Sequence, residues 1–184
     1  MRNASPKLMT LAEFLEWERR QPTRHEFIDG EIVAMTGARV VHVRMVRRLM
    51  HRLVDHLRSS PCEAFSNDLR IVVPLGDSYY PDILVICGDA RPRDEDDQVE
   101  LATIAIEVSS PSTWRYDAQR KRWGYLSVPT MEHYLLIDPA EIGAEIVSRD
   151  EARAYRGTLL LEQDDILELP AIGFSVRLGD LYAG

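Results

Sequence analysis

Ala102-Thr103-Ile104-Ala105-Ile106-Glu107-Val108 runs directly into Ser109-Ser110-Pro111-Ser112-Thr113. The first seven residues are apolar except at Thr103 and Glu107, the pattern of a strand covered on both faces. The serine- and proline-rich run breaks that strand, and a helix is expected to begin near Trp114. It must end by Val128, because Pro129 disfavours helical geometry in the residue before it. His133-Tyr134-Leu135-Leu136-Ile137 then gives another buried strand, closed by Asp138-Pro139. Strands joined by a helix crossover place the chain in the α/β class.

Upstream, Asp82-Ile83-Leu84-Val85-Ile86-Cys87 is almost continuously apolar and reads as a further buried strand. An acidic loop, Asp89 to Gln98, separates it from the strand at Ala102. Leu69 to Val73 reads as a strand and Pro74 to Ser78 as a turn. Val46, Leu49, Met50, Leu53, Val54 and Leu57 recur at three and four, marking an amphipathic helix from about Val40 to Ser59. His42 lies one turn before Val46 and is expected to point inward. Asp29-Gly30, between the apolar-rich runs of His25 to Met35, is a hairpin signal, since glycine supplies the positive φ of a tight turn. Thr10 and Glu13 form a capping box that opens a helix through about Arg20, after a loose terminus at 1–6. From Glu145 onward, short β runs alternate with turns and are read as antiparallel edge strands and hairpins. The sum is a mixed central sheet flanked by helices, with antiparallel C-terminal strands.

The 184 residues suit one domain, 1–184, large enough to bury a core unaided. The 22 Lys+Arg against 30 Asp+Glu give a net charge of −8, which argues against a protein that wraps nucleic acid electrostatically. A nuclease is not excluded, because local field decides what a cleft attracts. Arg39, Arg44, Arg47, Arg48, Arg52 and Arg58 fall in one stretch, and Arg115, Arg120, Lys121 and Arg122 in another. The bland reading of both is a solvated helix face. Cys62 and Cys87 lie in unrelated contexts with no CxxC pair, and no signal peptide or bilayer-spanning run is visible. The expectation is an intracellular, cytoplasmic, reduced protein with no membrane association.

Three carboxylates interrupt apolar strands: Glu26, Asp82 and Glu107. A carboxylate at a strand end beside a core is costly unless paired, and a divalent cation is one such partner. Taken singly, Glu107 also reads as a cap or salt-bridge residue and Asp82 as a turn aspartate. Asp117, Lys121 and Tyr125 share one helical face, so Lys121 can lean toward the strand ends. The idle alternative is a surface Asp117–Lys121 pair. His42 has three readings: orienting a carboxylate, shuttling a proton, or sitting satisfied in the core. Trp114, Tyr116, Trp123 and Tyr125 read as packing residues before they read as base-stacking ones.

Pro81-Asp82, then Ile106-Glu107-Val108-Ser109-Ser110-Pro111-Ser112-Thr113, then Asp117-x-x-x-Lys121-x-x-x-Tyr125, resembles the Uma-two family of restriction endonuclease-like proteins. That family belongs to the PD-(D/E)XK nuclease superfamily. Arg24 to Met35, with Glu26 and Asp29-Gly30-Glu31, resembles its first hairpin. His42 matches a histidine opening its long helix, and Tyr134 to Asp138 a later core strand.

The resemblance implies a restriction-endonuclease-like core and Mg²⁺-dependent hydrolysis of DNA phosphodiester bonds, with Mn²⁺ able to substitute. Asp82 and Glu107 would ligate the metal, with the Val108 carbonyl as a further ligand, and Glu26 matches an extra acidic position. The chain departs from the superfamily motif at Ser109, which stands where a lysine is expected; Lys121 is the substitute. Ser109 and Ser110 then read as turn formers before phosphate contacts. Duplex cleavage with one active site per subunit would favour a homodimer. The alternative from another class is an inactive nuclease-fold protein that binds nucleic acid or assembles with partners. A two-carboxylate glycosidase fits less well, since it leaves Lys121 without a role.

Overall fold

The computed structural model describes residues 9–66, 68–109 and 117–183. Of the break read at Ser109–Thr113, all but Ser109 lies outside them, as do residues 1–8, the helix start expected near Trp114, Arg115, Tyr116 and the side chain of Asp117. Among the described residues, three α-helices run Leu11–Glu18 (α1), Val40–Leu57 (α2) and Asp117–Ser127 (α3). The Thr10–Glu13 capping box forms as expected, with reciprocal bonds at the start of α1.

Thirteen strands among the described residues form two sheets and a separate hairpin. The larger sheet uses β3 (Cys62–Ser66), β6 (Ile83–Cys87), β8 (Ile104–Val108), β9 (His133–Ile137), β10 (Ala144–Arg149) and β11 (Tyr155–Leu160). Its order is β11-β10-β9-β8-β6-β3. Only β8 and β9 run parallel, and α3 lies in the connection between them. The smaller sheet uses β1 (His25–Ile28), β2 (Glu31–Ala34), β4 (Arg70–Val72), β5 (Ser78–Tyr79) and β7 (Gln98–Val99), ordered β2-β1-β5-β4-β7. β12 (Ile166–Leu169) and β13 (Phe174–Arg177) pair as a hairpin. The six-stranded sheet is the expected mixed central one, and the smaller sheet packs beside it through Ile28, Ile71 and Tyr79. Ser78, read as turn, pairs in β5, and Gln98, read as loop, pairs in β7.

The period of two along the buried strands divides the core. Ile83, Val85, Ile104, Ile106 and Val108 pack with Met45, Val46, Leu49, Leu53 and Leu57 of α2. Leu84, Ile86, Ala105, Tyr134 and Leu136 pack with Tyr125 and Leu126 of α3 and with Ile28, Ile71 and Tyr79 of the smaller sheet. Alternation places Asp82 and Glu107 with the second set, on the α3 side. The β1–β2 turn has Asp29 at φ 50° and Gly30 at φ 82°, the two-residue geometry that the Asp-Gly pair favours. Gly124 is required by close approach: a Cβ there would run into the Tyr79 ring and hydroxyl.

The reading of Cys62 and Cys87 as unrelated is corrected. β3 and β6 are antiparallel neighbours, and their register sets the two cysteines opposite one another, joined by a disulfide. The expectation of a reduced pair fails with it, because register rather than sequence spacing decides which residues meet. No helix among the described residues is long and apolar enough to cross a membrane.

Candidate active site

β6 and β8 are antiparallel with Ile83 opposite Ile106, so one further step sets Asp82 against Glu107 at the sheet end. Each carboxylate is held by its own partners. Asp82 Oδ2 accepts the Val108 N–H at 2.7 Å, and Oδ1 lies 2.9 Å from His42 Nε2. His42 comes from the first turn of α2, so Asp82 is fixed from the strand on one side and the helix on the other. Of the three readings of His42, the geometry matches the one in which it orients a carboxylate. The hydrogen bond to Asp82 raises the His42 pKa against the opposing effect of burial, assisted by the Asp82 charge and a backbone bond to Val108.

Glu107 is approached from α3. The Tyr125 hydroxyl donates to Oε1 at 2.6 Å, and Lys121 Nζ lies 3.4 Å from the same oxygen. Lys121 also donates to Glu26 Oε1 at 2.7 Å, an oxygen that accepts the Tyr80 N–H at 3.0 Å as well. Lys121 therefore bridges Glu26 and Glu107, and the surface Asp117–Lys121 reading is not needed to place it. Burial, with Asp82 and Glu26 nearby, pushes the Glu107 carboxyl up to about 7, against the pull of Lys121 and Tyr125. Burial disfavours the Lys121 charge, but Glu107 and Glu26 outweigh it and hold its pKa above the ordinary value. Tyr125 is raised by burial and by the same two carboxylates, so it remains a donor.

These groups line one pocket of about 240 Å³: Glu26, His42, Asp82, Glu107 and Lys121, with Val108 and Ser109 at its edge. All five side chains named in the sequence come together there. Arg120 and Arg122 leave in other directions, to Asp29 at 2.6 Å and Glu145 at 2.7 Å. Tyr125 belongs to the core, its ring 5.5 Å from that of Tyr134, whereas Trp123 is exposed. The sequence reading missed Tyr80, whose N–H fixes Glu26 and whose ring lies 5.5 Å from the Arg24 guanidinium. The Tyr79-Tyr80 pair just before Pro81-Asp82 was the available signal.

The donor set suits a hard cation. Glu107 Oε2 and Glu26 Oε2 have no hydrogen-bond partner among the described residues, and the Asp82 carboxylate is oriented beside them. Two carboxylates with a main-chain carbonyl and waters are a normal Mg²⁺ environment. No group of three or more His, Cys, Asp or Glu side chains among the described residues is placed to hold a metal ion.

The basic stretch of α2 divides. Arg48 donates to the Leu181 and Tyr182 carbonyls and Arg52 to the Asp180 carbonyl, fastening the C-terminal segment. Arg58 pairs with Asp55. Arg39, Arg44 and Arg47 stay exposed, so the solvated-face reading holds for part of the stretch only.

Two curated proteins of Synechocystis sp. (strain ATCC 27184 / PCC 6803 / Kazusa), uncharacterized proteins slr1290 and sll1609, are each 33% identical to the chain. The first match spans 97% of this chain and 93% of the relative, the second 73% and 77%. Among solved structures, a putative nuclease belonging to DUF820 from Anabaena variabilis superposes with a TM-score of 0.79 at 20% identity, covering 95% of this chain and 97% of that one. At that identity the likeness establishes the fold. The Uma2 family model, described as putative restriction endonuclease, matches residues 11–179, and the chain belongs to that family.

Proposed function

We propose that the chain is a metal-dependent endonuclease that hydrolyses DNA phosphodiester bonds, working in the cytoplasm as a homodimer of single restriction-endonuclease-like domains. The observation that carries this reading is the convergence of Asp82, Glu107, Glu26 and Lys121 from two sheets and a helix on one small pocket. Mg²⁺ or Mn²⁺ is the cofactor the oxygen donors fit, supplying Lewis-acid polarisation of the phosphate and activation of water. Asp82, Glu107 and the Val108 carbonyl would hold it. His42 and the Val108 N–H keep the Asp82 carboxylate in a single orientation, and Tyr125 does the same for Glu107. Lys121 supplies the cation that Ser109 cannot, neutralising charge that develops on the phosphate oxygens. Glu26 holds Lys121 in place.

The second reading, an inactive nuclease-fold binding or assembly module, is favoured by one observation: Lys121 is already engaged by two carboxylates. Plasmid incubated with Mg²⁺ or Mn²⁺ separates the two. The nuclease reading expects nicking by the parent and its loss in both Asp82→Asn and Glu107→Gln. Mn²⁺ binding by calorimetry with no cleavage of supercoiled, linear or single-stranded DNA supports the module instead.

A further inference from the structure

The catalytic pocket opens into a larger groove that hydrolysis itself does not use. The groove measures about 920 Å³ and shares Met35, Thr36, His42 and Asp82 with the pocket. Val43, Arg47, Met50 and Val54, spaced i, i+4, i+7 and i+11, form one stripe of α2 along it. Val43 is 54% exposed, Val54 46% and Met35 42%, so apolar surface faces water immediately beside a cluster of carboxylates. Such a surface next to a charged site marks a binding groove rather than ordinary exterior. Arg47 and His51 stand in its lining, and neither side chain is bonded to a described residue.

We propose that this groove holds unpaired bases of the DNA strand being cut, so that the substrate is single-stranded or carries an extruded nucleotide. The inference rests on the nuclease reading and narrows its substrate. Duplex DNA presents mainly charged phosphates and polar groove edges, with the thymine methyl as its chief apolar feature, so an apolar wall of valine and methionine gains little from it. An unpaired base has an apolar face of its own, and burial of that face is worth binding energy whatever the sequence. Methionine adapts its polarisable thioether to such flat surfaces. Arg47, on the same stripe, is placed for the phosphate between successive bases. A second copy of this chain fits the surface less well. In a two-fold contact the same patch meets itself, which would bring two copies of Arg47 into one interface.

The test is fluorescence anisotropy in Ca²⁺ with labelled oligo-dT of about 15 nucleotides, a fully paired hairpin, and a duplex with one bulged base. Oligo-dT should bind roughly tenfold or more tightly than the hairpin. Val54→Glu and Val43→Glu, both at exposed positions, should remove that preference, while Val54→Phe should tighten oligo-dT binding several-fold. Circular dichroism melting confirms that each variant is folded. A bulged duplex that binds like oligo-dT identifies an extruded base as the occupant, and one that binds like the hairpin identifies a free strand; both support the proposal. Equal affinity for oligo-dT and hairpin, unchanged in Val54→Glu while Mg²⁺-dependent duplex cleavage continues, overturns it and leaves the nuclease reading standing. No binding or cleavage of any DNA overturns both. Conversion of a dimer to a monomer by Val54→Glu in light scattering, with DNA affinity unchanged, makes the groove an interface between copies and also overturns it.

Discussion

The Tyr125 hydroxyl donates its hydrogen bond to Glu107 Oε1 at 2.6 Å and leaves Oε2 without a partner among the described residues. A neutral donor on one oxygen fixes the carboxylate plane and aims the other oxygen at the pocket, the arrangement by which outer groups orient metal ligands. Tyr125→Phe keeps the ring stacked on Tyr134 and removes only that bond. Mn²⁺ affinity by calorimetry is expected to fall roughly tenfold or more, with a stability loss of about 1 kcal/mol. Unchanged Mn²⁺ affinity would remove Tyr125 from the site and leave it as core.

Glu107 gives a pH dependence with a definite sign. Its carboxyl is raised from 4.5 to about 7, so the folded protein holds a proton that the unfolded chain has released. Its contribution to stability is full below pH 4.5 and is lost as the pH rises to about 7. The His42 shift acts in the same direction at higher pH, since its raised value favours the fold at and below 6.5. Lys121, also raised, loses its contribution only above 10.5. The Glu107 share is on the order of 1–3 kcal/mol. Glu107→Gln lacks this titration. The melting temperature of the metal-free variant should therefore gain on that of the parent between about pH 5 and about pH 8. Mn²⁺ should then stabilise the parent at the higher pH and not the variant. A difference that stays flat with pH contradicts the shifted carboxyl.

Arginines of the same helix should differ in kind. Arg48 and Arg52 tie α2 to the carbonyls of Leu181, Tyr182 and Asp180, and Arg47 faces the groove. Arg48→Ala with Arg52→Ala is expected to lower stability by about 1–3 kcal/mol, since charge-assisted bonds to main-chain carbonyls are lost, and to leave the salt dependence of DNA binding unchanged. Arg47→Ala should do the reverse, leaving the melting temperature in place and reducing the slope of log affinity against log salt by about one. Equal effects on both measurements would mean that the basic stretch acts as one undivided patch.

What the sequence made legible follows the range of each interaction. β8, β9 and the Asp29-Gly30 hairpin could be read because periodicity and turn chemistry are local. The rest of the smaller sheet was legible only in part: the strand read at Leu69 to Val73 is β4, but β5 and β7 are two residues long and exist through their neighbours. The Cys62–Cys87 pairing depends on the register of β3 and β6, which no spacing reveals. Asp82 and Glu107 were visible because each charge interrupts an apolar run, and Lys121 because it shares a helical face with Asp117 and Tyr125. Tyr80 was not, since its contribution to the site is a backbone N–H. The division of the α2 arginines was also hidden, because a docked arginine and a free one are the same letter.

Lys121 provides the most direct test of the mechanism, and the structure alters what its removal should do. From the sequence alone its loss would spare stability, since a lysine leaning off a helix face is dispensable to the fold. In the structure Nζ sits 2.7 Å from Glu26 and 3.4 Å from Glu107, and all three side chains are largely buried. Lys121→Ala leaves two carboxylates close together without their cation. The metal-free variant should lose roughly 3–5 kcal/mol, the cost of breaking a buried pair on one side. Mn²⁺ should restore part of that loss, because it neutralises the same carboxylates. Cleavage measured at saturating metal, where the variant is folded, should still be lower by roughly 10²-fold or more. Lys121→Arg should recover stability better than activity, since a guanidinium can pair with both carboxylates but does not reproduce a compact ammonium beside a phosphate. Arg120→Ala and Arg122→Ala, which break contacts to Asp29 and Glu145 outside the pocket, should change cleavage by less than about threefold. If the folded, metal-loaded Lys121→Ala protein cut plasmid as fast as the parent, Lys121 would be a structural counter-ion only, and another group would have to neutralise the phosphate.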